Sequence, residues 1–346
     1  MRKYLIGVLL IFFLCIPVHA MNFTAPEVPQ DGERFMPENE ESFLEGVWYI
    51  FKSAIGDLQP EITSAAGVCL SVIGISVVIS VVFHFSDQAE KVTRLVCTVA
   101  LGTLLLNQTD SMIKNGIDVI QNITEYGKLL LSVLTAVLAA QGGTTSSVAL
   151  YTATSLFGSI LSTVITKLIV PMLYIFICLS LICNAIEGNT LDGLRKFIKW
   201  LMTWSLKTVL YCFTGYMSIT GVITGTADAS ALKVARMTIS STIPVVGGIL
   251  SDTSEAVLVG AGVMKNAAGV YGLMAILAIW IGPFLKTGVQ YLLLKMTASV
   301  CAIFDSKVSS SVLEDFVVAM GFVLAMTGTV CILHLISTVC FMKGVA

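Results

Sequence analysis

The sequence predicts an all-α, polytopic helical membrane protein, and three observations carry that reading. Hydrophobic residues make up 56% of the 346-residue chain. Only 12% of residues are charged, against about 25% in a soluble globular protein. Mean hydropathy is +0.89, with the apolar residues gathered into runs long enough to cross lipid. Too few polar side chains remain to coat a water-facing surface, so the bilayer must act as solvent. The expectation is about seven to nine transmembrane helices after a cleaved signal peptide, with broken or re-entrant helices open at two places.

At the N-terminus, Arg2 and Lys3 precede an apolar run over 5–16, which Pro17 breaks. Val18, His19 and Ala20 then offer a cleavage site, so residues 1–20 read as a secretory signal peptide. Residues 21–61 are different in kind. Seven acids (Glu27, Asp31, Glu33, Glu38, Glu40, Glu41, Glu45) face one base, Arg34, before residue 50. Short exported segments disfavour Lys and Arg, so this is an extracytoplasmic acidic leader. It reads as a partly ordered, solvated stretch, with a docking arm as the other possibility.

Residues 62–346 form the membrane domain. A bilayer core of ~30 Å needs about 20 apolar residues of helix. The runs 63–85, 168–186 and 316–342 meet that length. Weaker candidates are 92–106, 129–140 with 148–165, 208–225, 267–285 and 287–304. The two ambiguous places are 129–165, interrupted by Gln141, Gly142 and Gly143, and 287–304, which contains Lys295. Ile113, Ile117 and Ile120 recur at helical spacing among Lys114, Asn115, Asp118 and Gln121, which reads as an amphipathic helix on the outer membrane face.

Orientation follows from basic loops. Arg195, Lys196, Lys199 and Lys207 make 187–207 the densest of them, hence cytoplasmic, with Trp200 and Trp204 as interfacial anchors. Parity then places 226–266 outside, Lys286 inside, the acidic patch from Asp305 to Asp315 outside and Lys343 inside. The N-terminus is extracytoplasmic and the C-terminus cytoplasmic on this map.

The candidate functional segment lies in 226–295. Lys233 and Arg236 share a helix face. Pro244, Gly247 and Gly248 combine a helix breaker with flexible positions, followed by Asp252 and Glu255, then Lys265 and Asn266. Short helical pieces around a Pro/Gly break build binding or conduction sites in membranes; an extracytoplasmic hairpin with ordinary surface charges is the alternative. Lys295 sits inside an apolar run, where a cation costs at least ~2.5–3.5 kcal/mol. It must face the bundle interior, pair with an acid, or snorkel to an interface.

Catalytic signatures are missing: there is no H-E-x-x-H, no G-x-S-x-G and no phosphate-cradling G-x-x-x-x-G-K-[ST]. Gly260, Ala261 and Gly262 lack the third glycine of a dinucleotide fingerprint and read as close-packing residues. The eight cysteines beyond Cys15 lie in apolar runs without a C-x-x-C pair, so neither a disulfide framework nor a zinc site is expected. A net charge of −2 argues against nucleic acid as a partner. No cofactor and no enzymatic activity are expected.

The series Ala227, Asp228, Lys233, Ile243, Pro244, Val245, Val246, Gly247, Asp252, Lys265, Asn266, Gly269, Gly272, Pro283, Lys286 and Tyr291 resembles, in order and spacing, the stage III sporulation protein AE family. The resemblance covers nearly the whole chain and is sharpest over 208–304. It implies a multi-pass protein of the mother-cell membrane surrounding the forespore. It implies partners among the other stage III sporulation A-operon proteins, one resembling secretion ATPases and others ring-forming secretion components, and the forespore stage II sporulation protein Q. Together these are expected to form a channel, or feeding tube, between the two cells. No catalytic residues are established for the family, so none carry over. A non-conducting scaffold and a stand-alone solute transporter are the alternative roles.

Overall fold

A computed structural model of the protein describes residues 26–37, 42–85, 90–186, 191–242, 247–304 and 307–343, with the backbone alone described for 83–85, 90, 220–242 and 247–261. The helices in chain order are α1 (Phe43–Gly56), α2 (Gln59–Phe85), α3 (Glu90–Ala140), α4 (Thr144–Val164), α5 (Val170–Ala185), α6 (Asp192–Thr242), α7 (Gly247–Ile303) and α8 (Lys307–Lys343). No strand occurs among the described residues. Residues 1–20, expected to be a signal peptide, lie outside them.

The helices are far longer than the apolar runs that compose them. At 1.5 Å per residue, the 51 residues of α3 extend ~77 Å and the 57 residues of α7 extend ~85 Å. Among the described residues, five stretches are long and apolar enough to cross a membrane: Gln59–Val82, Lys91–Ala140, Thr144–Ala185, Gly262–Ile303 and Lys307–Lys343. The expected seven to nine spans are not confirmed: among the described residues, neighbouring runs fuse into longer helices. The runs 92–106 and 129–140 both belong to α3, since nothing between them stops a helix. The stretch around Ile113–Ile120 is therefore not a separate surface helix: Ile113 and Ile120 are fully buried, while Lys114, Asn115 and Asp118 point outward. Likewise 267–285 and 287–304 join in α7 straight through Pro283, so Lys286 is a mid-helix residue and not part of a loop.

The ambiguous region around Gln141 is a tight hairpin. Gly142 has φ 89°, a left-handed conformation that favours glycine and closes the C-terminus of α3. Gly143 N–H donates back to the Leu138 carbonyl at 3.1 Å. Beyond the turn, α4 runs into α5 through a π-helical turn, Ile165–Ile169. Pro171 cannot donate to Lys167, and the widened turn absorbs the lost bond.

Helix α8 is the hub. Of its most apolar window 61% is buried, against 28% for α2, and it packs on α3, α4, α5, α6 and α7. The register is fixed by specific contacts. At one end Cys97 meets Ser309 at 3.4 Å, Cys301 meets Ser76 at 3.4 Å, and Ser80 donates to the Phe304 carbonyl at 2.8 Å. At the other end Gly127 lies beneath the His334 imidazole, Thr154 bonds Ser337, and Gly269 lies against Met342.

That register corrects the charge-based map. Arg195 Nη1 lies 2.6 Å from Asp315 Oδ2, so the basic 187–207 loop and the acidic patch ending at Asp315 cannot lie on opposite faces of a bilayer. Lys343, 28 residues further along the same helix, is ~42 Å away at the other end of the bundle. It cannot share a face with Arg195 as loop charges required. Basic-loop counting fails here because several of the assumed spans were halves of one helix.

The acidic leader, where described, is packed and not merely solvated. The turn Gln30–Glu33 and α1 both lie along α7. Phe35, Ile50 and Ala54 are buried together with Met274 and Ala278 of α7. Gly46 makes this approach possible, because a Cβ there would come within 2.6 Å of Met274 Sδ.

Candidate functional site

A polar belt crosses the apolar bundle at mid-height. Residues 107–128 of α3 turn Ile113, Ile120 and Ile123 into the core and leave Asp110, Lys114, Asn115, Asp118 and Asn122 on the other face. Asp110 accepts from the Tyr174 hydroxyl of α5 at 2.7 Å and pairs with Lys114 at 2.7 Å. On α7, Lys286 reaches Glu61 of α2 at 3.2 Å. In the leader, Arg34 lies 3.7 Å from Asp57. Charged and amide side chains on the outside of a helix suit water-facing or partner-facing surface better than lipid.

Within the belt is a cavity of ≈ 160 Å³ between α3, α7 and the leader. Asn115, Asp118 and Asn122 line one wall, Ile279, Pro283, Lys286 and Thr287 the second, and Asp31 and Arg34 the third. Asn115, Asp118 and Asn122 stand three and four apart, so they share one helix face. Pro283 has no N–H for the Ile279 carbonyl one turn earlier, so the α7 wall carries a backbone acceptor freed from the helix ladder. The leader closes over this point. A Cβ on Gly32 would come 2.7 Å from Ile279 Cγ1, and one on Gly282 would come 2.8 Å from Phe35 Cε2. Mixed carboxylate, cationic and amide groups around a small space can hold water, an ion or a small zwitterion. Among the described residues, no group of three or more His, Cys, Asp or Glu side chains could hold a metal.

The segment singled out from sequence fares differently. Pro244 lies outside the described residues, as do the side chains of Lys233, Arg236, Asp252 and Glu255 and the surroundings of Gly247 and Gly248. Lys265 is only 5% exposed, so it is no surface charge, whereas Asn266 is exposed. Lys295 faces outward with its Nζ 5.8 Å from the Tyr291 ring centre, one resolution of the cost of a cation in an apolar run. None of these described residues lines the cavity. Of the residues that do, the sequence marks Asn115 and Asp118 as the polar face of a membrane-surface helix, Lys286 as a cytoplasmic position between two runs, and Pro283 only through the family resemblance.

A second polar centre closes the far corner. Asp315 accepts from Arg195 at 2.6 Å and from Asn184 Nδ2 at 2.9 Å. Arg195 also donates to Asp192 at 2.6 Å, and Lys196 pairs with Asp192 at 2.6 Å. Hydrogen bonds from Lys196 and Arg195 hold the Asp192 carboxyl below its usual range.

Comparison with known proteins decides the family. The chain matches the profile of stage III sporulation protein AE over residues 36–344. It belongs to that family. A curated relative, stage III sporulation protein AE of Bacillus subtilis (strain 168), is 22% identical over 214 residues, which cover 62% of this chain and 54% of the relative. The chain thus aligns with about half the length of that relative. No solved structure matches it significantly. The family ties the chain to sporulation, and Pro283 and Lys286, two of the residues that carried the resemblance, form part of the cavity wall.

Proposed function

We propose that this chain is a membrane-embedded subunit of the channel complex that joins mother cell and forespore during sporulation, with no enzymatic activity of its own. It sits in the mother-cell membrane around the forespore. Its partners there are the other stage III sporulation A-operon proteins, including the ATPase-like and ring-forming members, and across the gap the forespore stage II sporulation protein Q. The observation that carries this reading is the polar belt with its cavity at mid-height of an apolar bundle. Such a surface is costly beside lipid and is suited to lining water or meeting another subunit. An energy source would come from a partner, because the chain carries no nucleotide-cradling loop.

The test is solvent access during sporulation. Single cysteines at Asn115, Asp118 and Asn122, in a background without native cysteines, should react with a membrane-impermeant maleimide, while cysteines at Ile113 and Ile120 should stay protected. Uniform protection at all five would reject a water-lined path and leave a scaffold. Solute uptake by vesicles containing this chain alone would instead make it an autonomous transporter.

A further inference from the structure

We propose that the groove between α6 and α8 is a binding site for one anionic phospholipid, independently of any role for the mid-height cavity. The two helices start together at the Arg195–Asp315 contact and run side by side in the same direction. Between them lies an apolar space of ≈ 300 Å³. Leu206, Leu210, Val318, Phe322 and Ala325 form its walls, and Lys199, Thr203 and Lys207 occupy the α6 edge. The lining residues span 199–210 on one helix and 318–329 on the other, ~17 Å in each case. That is about the depth of one leaflet of a ~30 Å hydrocarbon core, so a headgroup and the first part of an acyl chain fit along it.

Charge selects the headgroup. Neighbouring Arg195 and Lys196 are neutralised by Asp315 and Asp192. Lys199 and Lys207 have no ion pair with any described residue, although both edge an otherwise apolar groove. They stand two turns apart on either side of Thr203, and their flexible stems let both ammonium groups converge on one phosphate at that level. Beside them Phe197, Trp200 and Trp204 form an exposed stacked row, with ring centres 5.9 and 6.2 Å apart. Aromatic rows of this kind lie at headgroup depth, and basic pockets between membrane helices bind acidic lipid headgroups. The groove therefore takes a phosphate ester at Lys199, Thr203 and Lys207, with an acyl chain running towards Thr329.

The experiment uses the full chain in a non-ionic detergent, with lipid retention read by native mass spectrometry. Phosphatidylglycerol and phosphatidylcholine of identical acyl chains are added in equal amounts. Wild type should retain phosphatidylglycerol at least tenfold over phosphatidylcholine. Lys199→Gln with Lys207→Gln, or either single change if the double variant fails to fold, should bring that preference close to unity, whereas Lys196→Gln should not. Ala325→Phe, at an exposed position inside the groove, should lower retention of both lipids about tenfold. Equal retention of the two lipids by wild type would overturn the proposal, as would an Ala325→Phe variant that binds like wild type. Full displacement of the lipid by soluble glycerol phosphate would also overturn it, because the site would then recognise an anion alone.

Discussion

At the corner where α5, α6 and α8 meet, Asp315 accepts from Arg195 and Asn184, and Arg195 is shared with Asp192. Around the cavity, by contrast, Asn115, Asp118 and Asn122 border open space and bond to no described side chain, while Lys286 and Arg34 are paired at the rim. The first places charge inside a mostly apolar bundle, and the second on its outer face beneath the leader. In the first, each charge is consumed by a neighbour, so the network fixes how three helices pack. In the second, polar capacity is left over, and something outside the fold must use it. A polar cluster in a membrane protein therefore reads as structure when it closes on itself and as a site when it does not.

Breaking the closed corner should have the largest effect on stability. Asp315→Ala leaves a guanidinium that is only 21% exposed with Asp192 as its one remaining carboxylate and leaves Asn184 without its acceptor, and losing hydrogen bonds to a charged group costs on the order of 1.5–3 kcal/mol. The purified variant should melt well below wild type and accumulate less in cells. Arg195→Ala should do the same, and combining the two should cost less than their sum. Additive losses would mean that the pair is not coupled.

Steric closeness ranks next. A Cβ on Gly127 would strike the His334 imidazole, and one on Gly272 would strike Leu130. Gly127→Ala should cost about 1–3 kcal/mol through overpacking, and His334→Ala in the same chain should recover much of it. Gly328, also in α8, has nothing within 4 Å of its would-be Cβ. Gly328→Ala should be neutral or slightly stabilising, since alanine favours helix over glycine by roughly 0.5–1 kcal/mol. Thermal melts in detergent separate the two outcomes.

The helical membrane class was legible because it depends on summed hydropathy, which fusion of runs leaves unchanged. Which runs share one helix was not, because apolar windows cannot tell a polar interval inside a helix from one between helices. Residues 107–128 contain no proline, and Pro283 is tolerated within α7, so intervals that resembled boundaries are mid-helix. The same error hid the cavity: Asn115 and Asp118 were legible as one polar face, but what they oppose is set by α7 and the leader. The contact that puts the basic and acidic loops on one side, Arg195 to Asp315, joins residues 120 apart, beyond any local pattern.

A smaller effect is confined to acid. Lys196 and Arg195 depress the Asp192 carboxyl in the folded state, so the stabilisation it provides is fully present above the ordinary carboxylate range of ~3.9. It is lost as pH falls through the depressed folded value. The gap in melting temperature between wild type and Asp192→Asn should hold constant from pH 7 to about 5 and close below ~3.9. A gap unchanged at pH 3 would show that Asp192 acts through shape rather than charge.

The cavity should show the smallest effect on stability and a large one on function. Asp118→Asn and Asn115→Ala remove groups that no described neighbour uses, so each should shift stability by less than about 0.5 kcal/mol. If the cavity meets water or a partner during sporulation, the same variants should lower forespore transcription while the protein remains at normal level in the membrane. The corner variants should reduce both together. Asp118→Asn that melts far below wild type would mean its carboxylate is already spent inside the fold, and the distinction between the two centres would fail. Normal stability with normal sporulation in both variants would instead keep the distinction but remove the cavity from the proposed function, because unused polar capacity would then have no consequence for the cell.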